Sequence, residues 1–115
     1  MLRKLNRLSK DKEIKDLIKT GKTLFLPNFI IKHKENKEEI TKIGVIVSTK
    51  VDKRAVVRNK IKRQIRAIIK DNINNIKPGY NILIIVKKQA LELDFNKLEK
   101  ILISGLSKIN ILNNV

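Results

Sequence analysis

The sequence predicts a single α+β domain over residues 1–115, with a small, mainly antiparallel four-stranded sheet packed by helices. Three observations carry that prediction. The chain has 115 residues, the length of one compact domain. Its apolar pattern switches between helical spacing and strand alternation, which gives the order α-β-β-β-α-β-α. Nothing repeats, and no segment is biased enough in composition to be a linker.

The first helix is expected over residues 9–20. Ser9 suits its N-cap, Asp11 and Glu13 its first turn, and Gly21 its end. Ile14, Leu17 and Ile18 share one face. Strands follow over residues 23–48. Leu24-Phe25-Leu26 is a short apolar piece broken at Pro27, and residues 29–33 form a second strand. Residues 34–39 make a charged turn, and Ile43, Val45 and Val47 alternate along a third strand.

A long basic helix is predicted over residues 53–73. Val57, Ile61, Ile65, Ile68 and Asn72 recur at three and four residues and share one arc, apolar except at its end. Pro78-Gly79 then forces a turn. Residues 80–86 are nearly all apolar, the mark of a central strand covered on both faces. Asp94 suits the cap of a last helix that buries Phe95, Leu98, Ile101, Leu102, Leu106 and Ile109.

Composition narrows the function. Twenty-seven Lys and Arg face 11 Asp and Glu, a formal charge of +16. Such an excess opposes compaction, and a polyanion relieves it. The richness in Ile, Lys and Asn is also what an AT-rich genome would encode, so clustering of charge says more than its total. There is no cysteine, which excludes disulfides and thiolate metal sites. Basic residues interrupt the N-terminus, and the longest aliphatic run, residues 82–86, is far too short to span a bilayer. A soluble cytoplasmic protein without membrane partners is expected. No nucleophile–base pair, phosphate-cradling Gly loop or carboxylate cluster stands out, so no catalytic residue, metal ligand or protein-bound cofactor is assigned. His33, the lone histidine, reads as a surface strand residue, and Phe25 and Tyr80 as core or strand-end residues.

The informative stretch is residues 53–66, KRAVVRNKIKRQIR. A basic run on a helix is ordinarily a solvated face, but such a face mixes signs. Between Lys50 and Lys70 only Asp52 is negative. An apolar arc that docks the helix leaves Lys53, Arg54, Arg58, Asn59, Lys60, Lys62, Arg63, Arg66 and Lys70 as candidate RNA-binding residues. Arg forks hold two phosphate oxygens at once, Lys adds point charge, and Asn59 offers donor and acceptor to phosphate, ribose or base.

Arg58-Asn59-Lys60-Ile61-Lys62-Arg63, followed by Arg66, resembles the RNR signature of the bacterial ribonuclease P protein subunit. Residues 44–50, GVIVSTK, resemble the strand leading into it, and Asn6-Arg7-Leu8 with the helix ending at Gly21 resembles the family's opening. The resemblance implies an α/β sandwich with a left-handed crossover, shared with a ribosomal protein domain. It implies that an RNA subunit cleaves the 5′ leader from precursor tRNA with Mg2+, while the protein binds that RNA and cradles the leader in a cleft. The cleft positions here are Ile14, Ile18, Phe29, Lys32 and Lys50. Family clefts usually carry aromatics on the first helix and neighbouring strand. Here Ile14 and Ile18 take the helix places and Lys32 a strand place, so apolar contact replaces a stacking plane. Phe29 fits either core packing or leader contact. The isolated protein is expected to be a monomer.

The competing reading is a basic ribosomal or other structural RNA-binding protein, disfavoured by the signature following residues 44–50. A general DNA-binding or membrane-surface protein comes third, since the apolar arc is needed for the sheet.

Overall fold

The computed structural model describes residues 6–113. Its elements are α1 (Asp11–Thr20), β1 (Lys22–Phe25), β2 (Phe29–Glu35), β3 (Lys42–Ile46), α2 (Ala55–Asn72), β4 (Tyr80–Val86) and α3 (Phe95–Lys108), the predicted order. The strands form one sheet in the order β1-β2-β4-β3. β1–β2 and β2–β4 are antiparallel, while β3 and β4 are parallel neighbours joined through α2. β4 is therefore central, as its unbroken apolar run requires.

Strand alternation divides the side chains between two layers. One face carries Phe29, Ile31, Ile43, Ile82, Ile84 and Val86, which form the main core with Ile61, Ile65, Ile68 and Ile69 of α2 and Leu98, Leu102 and Leu106 of α3. The other face carries Leu83, which packs with Leu8 and Leu17, with Ile14, Ile46 and Ile85 at the margin. α1 thus lies across the sheet from α2 and α3.

Several boundaries differ from expectation. Ser9 is not a cap: it is exposed, and Lys10 precedes α1 without a side-chain bond to it. Asp11 and Glu13 supply the negative charge that the first turn favours instead. β3 ends at Ile46, and Val47 is buried just beyond it. α2 begins at Ala55, because residues 48–54 are held in a turn described below. Asn72 is half-buried at the end of the apolar arc and donates from Nδ2 to the Ile68 carbonyl at 2.7 Å. Ile69, beside that arc, is fully buried. Asp94 caps α3 as expected, accepting from the Lys97 N–H at 2.8 Å. Phe95, however, is 38% exposed, since it sits in the first turn before α3 reaches the sheet. Ile101 and Ile109 are half-buried.

Gly21 ends α1 for reasons of space. A Cβ there would lie 2.5 Å from the Leu17 carbonyl oxygen and 3.2 Å from that of His33. Gly21→Ala must open the last turn of α1 around Leu17 and press on β2 at His33, and is expected to destabilise the domain by about 1–3 kcal/mol, as overpacking does. Urea denaturation checks this; an unchanged midpoint would mean that α1 is not pinned there. Gly79 takes φ of 91° in the turn before β4, as the Pro78-Gly79 pair predicts. Half-buried His33 lies beside Tyr80 and Ile109, and burial, then the Lys22 charge, push its pKa down.

Candidate nucleic-acid interface

The basic helix is aimed by the turn that precedes it. Val51 donates to the Ser48 carbonyl at 3.0 Å, closing a tight turn after β3, and the Val51 side chain is buried. Asp52 then clasps Arg54. Its Oδ1 accepts from the Arg54 backbone N–H at 2.8 Å and from Nε at 3.1 Å, and its Oδ2 accepts from Nη2 at 3.0 Å. Arg58 closes the clasp from one turn along α2. Its Nη1 donates to the carbonyls of Asp52 at 3.0 Å and Lys53 at 2.8 Å. Neither Arg54 nor Arg58 simply points to solvent, as a reading of the signature by charge alone would have it.

The clasp has an electrostatic signature. The Arg54 guanidinium bonds hold the Asp52 carboxyl down to about 2, helped by the Arg54 backbone N–H, and they raise Arg54 in turn. A carboxyl depressed in the folded state stabilises it above the ordinary value of 3.8 and loses that contribution as pH falls through about 2. A carboxyl-detected NMR titration is expected to show the Asp52 midpoint near 2. A midpoint near 4 would mean that the clasp is open in solution.

The remaining α2 residues divide by angle. At about 100° per residue, Asn59, Lys62, Arg63, Arg66 and Lys70 fall within one arc of about 100°, turned away from Ile61 and Ile65. Lys60 lies on the opposite flank, where it lines a groove of about 470 Å³ with Ile61, Gln64 and Leu91. Lys53 is exposed before the first turn. Among the described residues, Lys60, Lys62, Arg63, Arg66 and Lys70 form no ion pair. Apart from the Asp52 clasp, the ion pairs lie elsewhere. Asp16 pairs with Lys34 at 3.1 Å, and Glu13 and Glu38 both reach Lys42 at 3.2 Å. Those two carboxylates, Glu38 first, raise the Lys42 pKa. Lys34 and Lys42 are therefore compensated, while among the described residues the outer arc of α2 offers uncompensated cations on a rigid helix. Such an array suits phosphates at fixed spacing.

The second set of candidates is only partly brought together. Ile14 is half-buried and Ile18 is 46% exposed on α1, facing the sheet layer that carries Leu83. Lys32 is on that layer too, with Nζ donating to Thr23 Oγ1 at 2.9 Å and to the Ile18 carbonyl at 3.3 Å. Lys50 is exposed in the turn beyond β3. Phe29 does not join them. It is fully buried in the main core on the opposite face, so of its two open readings the structure selects packing. Phe25, expected in the core or at a strand end, is 73% exposed at the end of β1. Period-two alternation could have shown this: Leu24 and Leu26 pack on the main core, so Phe25 faces the α1 side.

Among the described residues, no three His, Cys, Asp or Glu gather where they could hold a metal ion. No helix there is long and apolar enough to cross a membrane.

Comparison with known proteins agrees with this geometry. The family model described as Ribonuclease P matches residues 2–110. The ribonuclease P protein component of Mycoplasma capricolum is 40% identical over 103 residues, 89% of this chain and 94% of that protein. That of Clostridium botulinum strain 657 is 33% identical over 111 residues, 96% of this chain and 99% of that protein. Among solved structures, the RNase P protein of Staphylococcus aureus superposes with TM-score 0.86 at 27% identity, covering 94% of this chain and 98% of that one. The RNase P protein of Thermotoga maritima gives 0.82 at 28% identity, covering 89% and 96%. With a family match over nearly its whole length, and a clasped basic helix on the shared fold, the chain belongs to the ribonuclease P protein family.

Proposed function

We propose that this protein is the RNA-binding subunit of a ribonuclease P acting in the cytoplasm, monomeric when isolated. The observation that carries the reading is the outer arc of α2, where Asn59, Lys62, Arg63, Arg66 and Lys70 stand without acidic partners among the described residues, on a helix that Ile61, Ile65, Ile68 and Ile69 lock to the sheet. In this reading that arc holds the catalytic RNA. The α1 layer, with Ile14, Ile18 and Lys32, takes the single-stranded 5′ leader of precursor tRNA, with Lys50 at its margin. The RNA carries the chemistry and uses Mg2+. The protein contributes binding and orientation, which hold the substrate in place and screen repulsion between two polyanions.

Reconstitution tests this. The pure protein should leave precursor tRNA uncut. Added to a ribonuclease P RNA, it should lower the Mg2+ concentration needed for cleavage and tighten binding of leader-bearing substrate. Unchanged cleavage and affinity would sink the proposal. Stoichiometric recovery in salt-washed ribosomes would favour a structural ribosomal role.

A further inference from the structure

The α1 side of the sheet is only partly covered. Strand register orders its side chains into rungs. One rung runs through Thr23, Lys32, Leu83 and Gly44, under α1. The next runs through Phe25, Ile30, Ile85 and Ile46, crossing all four strands. Beyond it lies Lys87, whose N–H donates to the Asn28 carbonyl at 3.0 Å and whose Nζ lies 3.4 Å from the Leu26 carbonyl. The middle rung is an apolar band. Ile30, Ile85 and Ile46 are half-buried, and Phe25 stands at its edge, 73% exposed. Lys32 and Lys87 bracket it on either side.

The fold does not account for Phe25. Leu24 and Leu26 supply the packing of β1, and Phe25 belongs to neither apolar cluster. A single exposed apolar side chain is ordinary, but this ring continues the half-buried band of Ile30, Ile85 and Ile46 to the sheet edge, and a contiguous apolar surface of that kind marks a contact site. An exposed ring beside an apolar floor, with an ammonium to each side, matches the needs of a single-stranded nucleotide. The base stacks on the ring, and the flanking phosphates meet the cations.

We propose that Phe25 is the base-stacking platform of this protein's single-strand site, placed on β1 where α1 offers only Ile14 and Ile18. The inference rests on the reading of the α1 layer as the leader-binding face and adds the residue that discriminates a base from bare backbone. Lys32 and Lys87 hold the phosphates on either side of that base.

The test uses the chain reconstituted with a ribonuclease P RNA, comparing precursor tRNA with mature tRNA lacking the leader. Phe25→Ala and Phe25→Leu should each weaken binding of the leader-bearing substrate about five- to 150-fold, the range expected for removing one stacking platform. Phe25→Trp should hold or improve it. Mature tRNA affinity and thermal midpoint should not move, since the ring is exposed. A second arm titrates the isolated chain with a short single-stranded oligoribonucleotide and an abasic oligomer of equal length. Phe25→Ala should weaken only the first. If wild-type holoenzyme prefers leader-bearing substrate but both small variants bind it within twofold of wild type, the assignment of Phe25 is overturned. If wild type shows no leader preference, the leader reading fails. The oligonucleotide arm then still decides whether Phe25 stacks bases: equal loss for both oligomers, or for neither, refutes it.

Discussion

Ile65→Ala is expected to lower the stability of the domain by about 2–5 kcal/mol, the range for truncating a buried aliphatic side chain. Ile65 is fully buried at the centre of the α2 arc, in one cluster with Ile43 of β3, Ile82 of β4 and Leu102 of α3. The cluster draws on three further elements, so a cavity within it cannot close by the shift of one. A domain of this size typically has 5–15 kcal/mol in all, so the change removes a large share. Urea unfolding should show a lower midpoint at unchanged slope. RNA affinity should fall only as the folded fraction falls and recover fully on cooling or with added osmolyte. A loss under 1 kcal/mol would mean that α2 is held by its ends, the Asp52 clasp above all, and not by its apolar arc.

That arc was legible in the sequence because helix and strand periods differ. The spacing of Ile61, Ile65 and Ile68 allows one docking face, and the alternation of Ile43, Val45 and Val47 allows one side of a strand. The unbroken run of β4 foretold its central place, and Asp94 its cap. Pairing order was not legible. Nothing local in β3 says that it lies parallel to β4 with β2 on the far side, since register depends on residues far apart in the chain.

The site was legible in its charges and illegible in their partners. Position on the helix separates Lys62, Arg63 and Arg66 from Ile61 and Ile65 without coordinates. That Arg54 and Arg58 turn back onto Asp52 and its neighbours depends on the path of residues 48–54, which no periodicity describes. Phe29 and Phe25 show the same limit from the other side. Both are aromatic strand residues near one sheet edge, and one is sealed in the core while the other is bare. Alternation against Leu24 and Leu26 distinguishes them once the packed face of the sheet is known. Composition does not.

Arg63→Ala with Arg66→Ala is expected to weaken binding to ribonuclease P RNA on the order of a hundredfold, if each guanidinium makes one charge-assisted hydrogen bond to the RNA. The salt dependence should change with it. Each phosphate no longer neutralised should flatten the slope of log affinity against log salt by roughly 0.7–0.9, so the double variant should be shallower by about 1.4–1.8. Folding should be almost unaffected: Arg63 is exposed, Arg66 is half-buried, and neither has an acidic partner among the described residues. The control is Lys97→Ala with Lys100→Ala, which removes the same charge from exposed positions on α3. Binding titrations across a salt series compare the two. If the outer arc of α2 is the interface, the α3 variant keeps nearly the wild-type affinity and slope. Equal losses in both would show that the protein binds through its net charge of +16, and that the orientation set by the Asp52 clasp has no part in recognising the RNA.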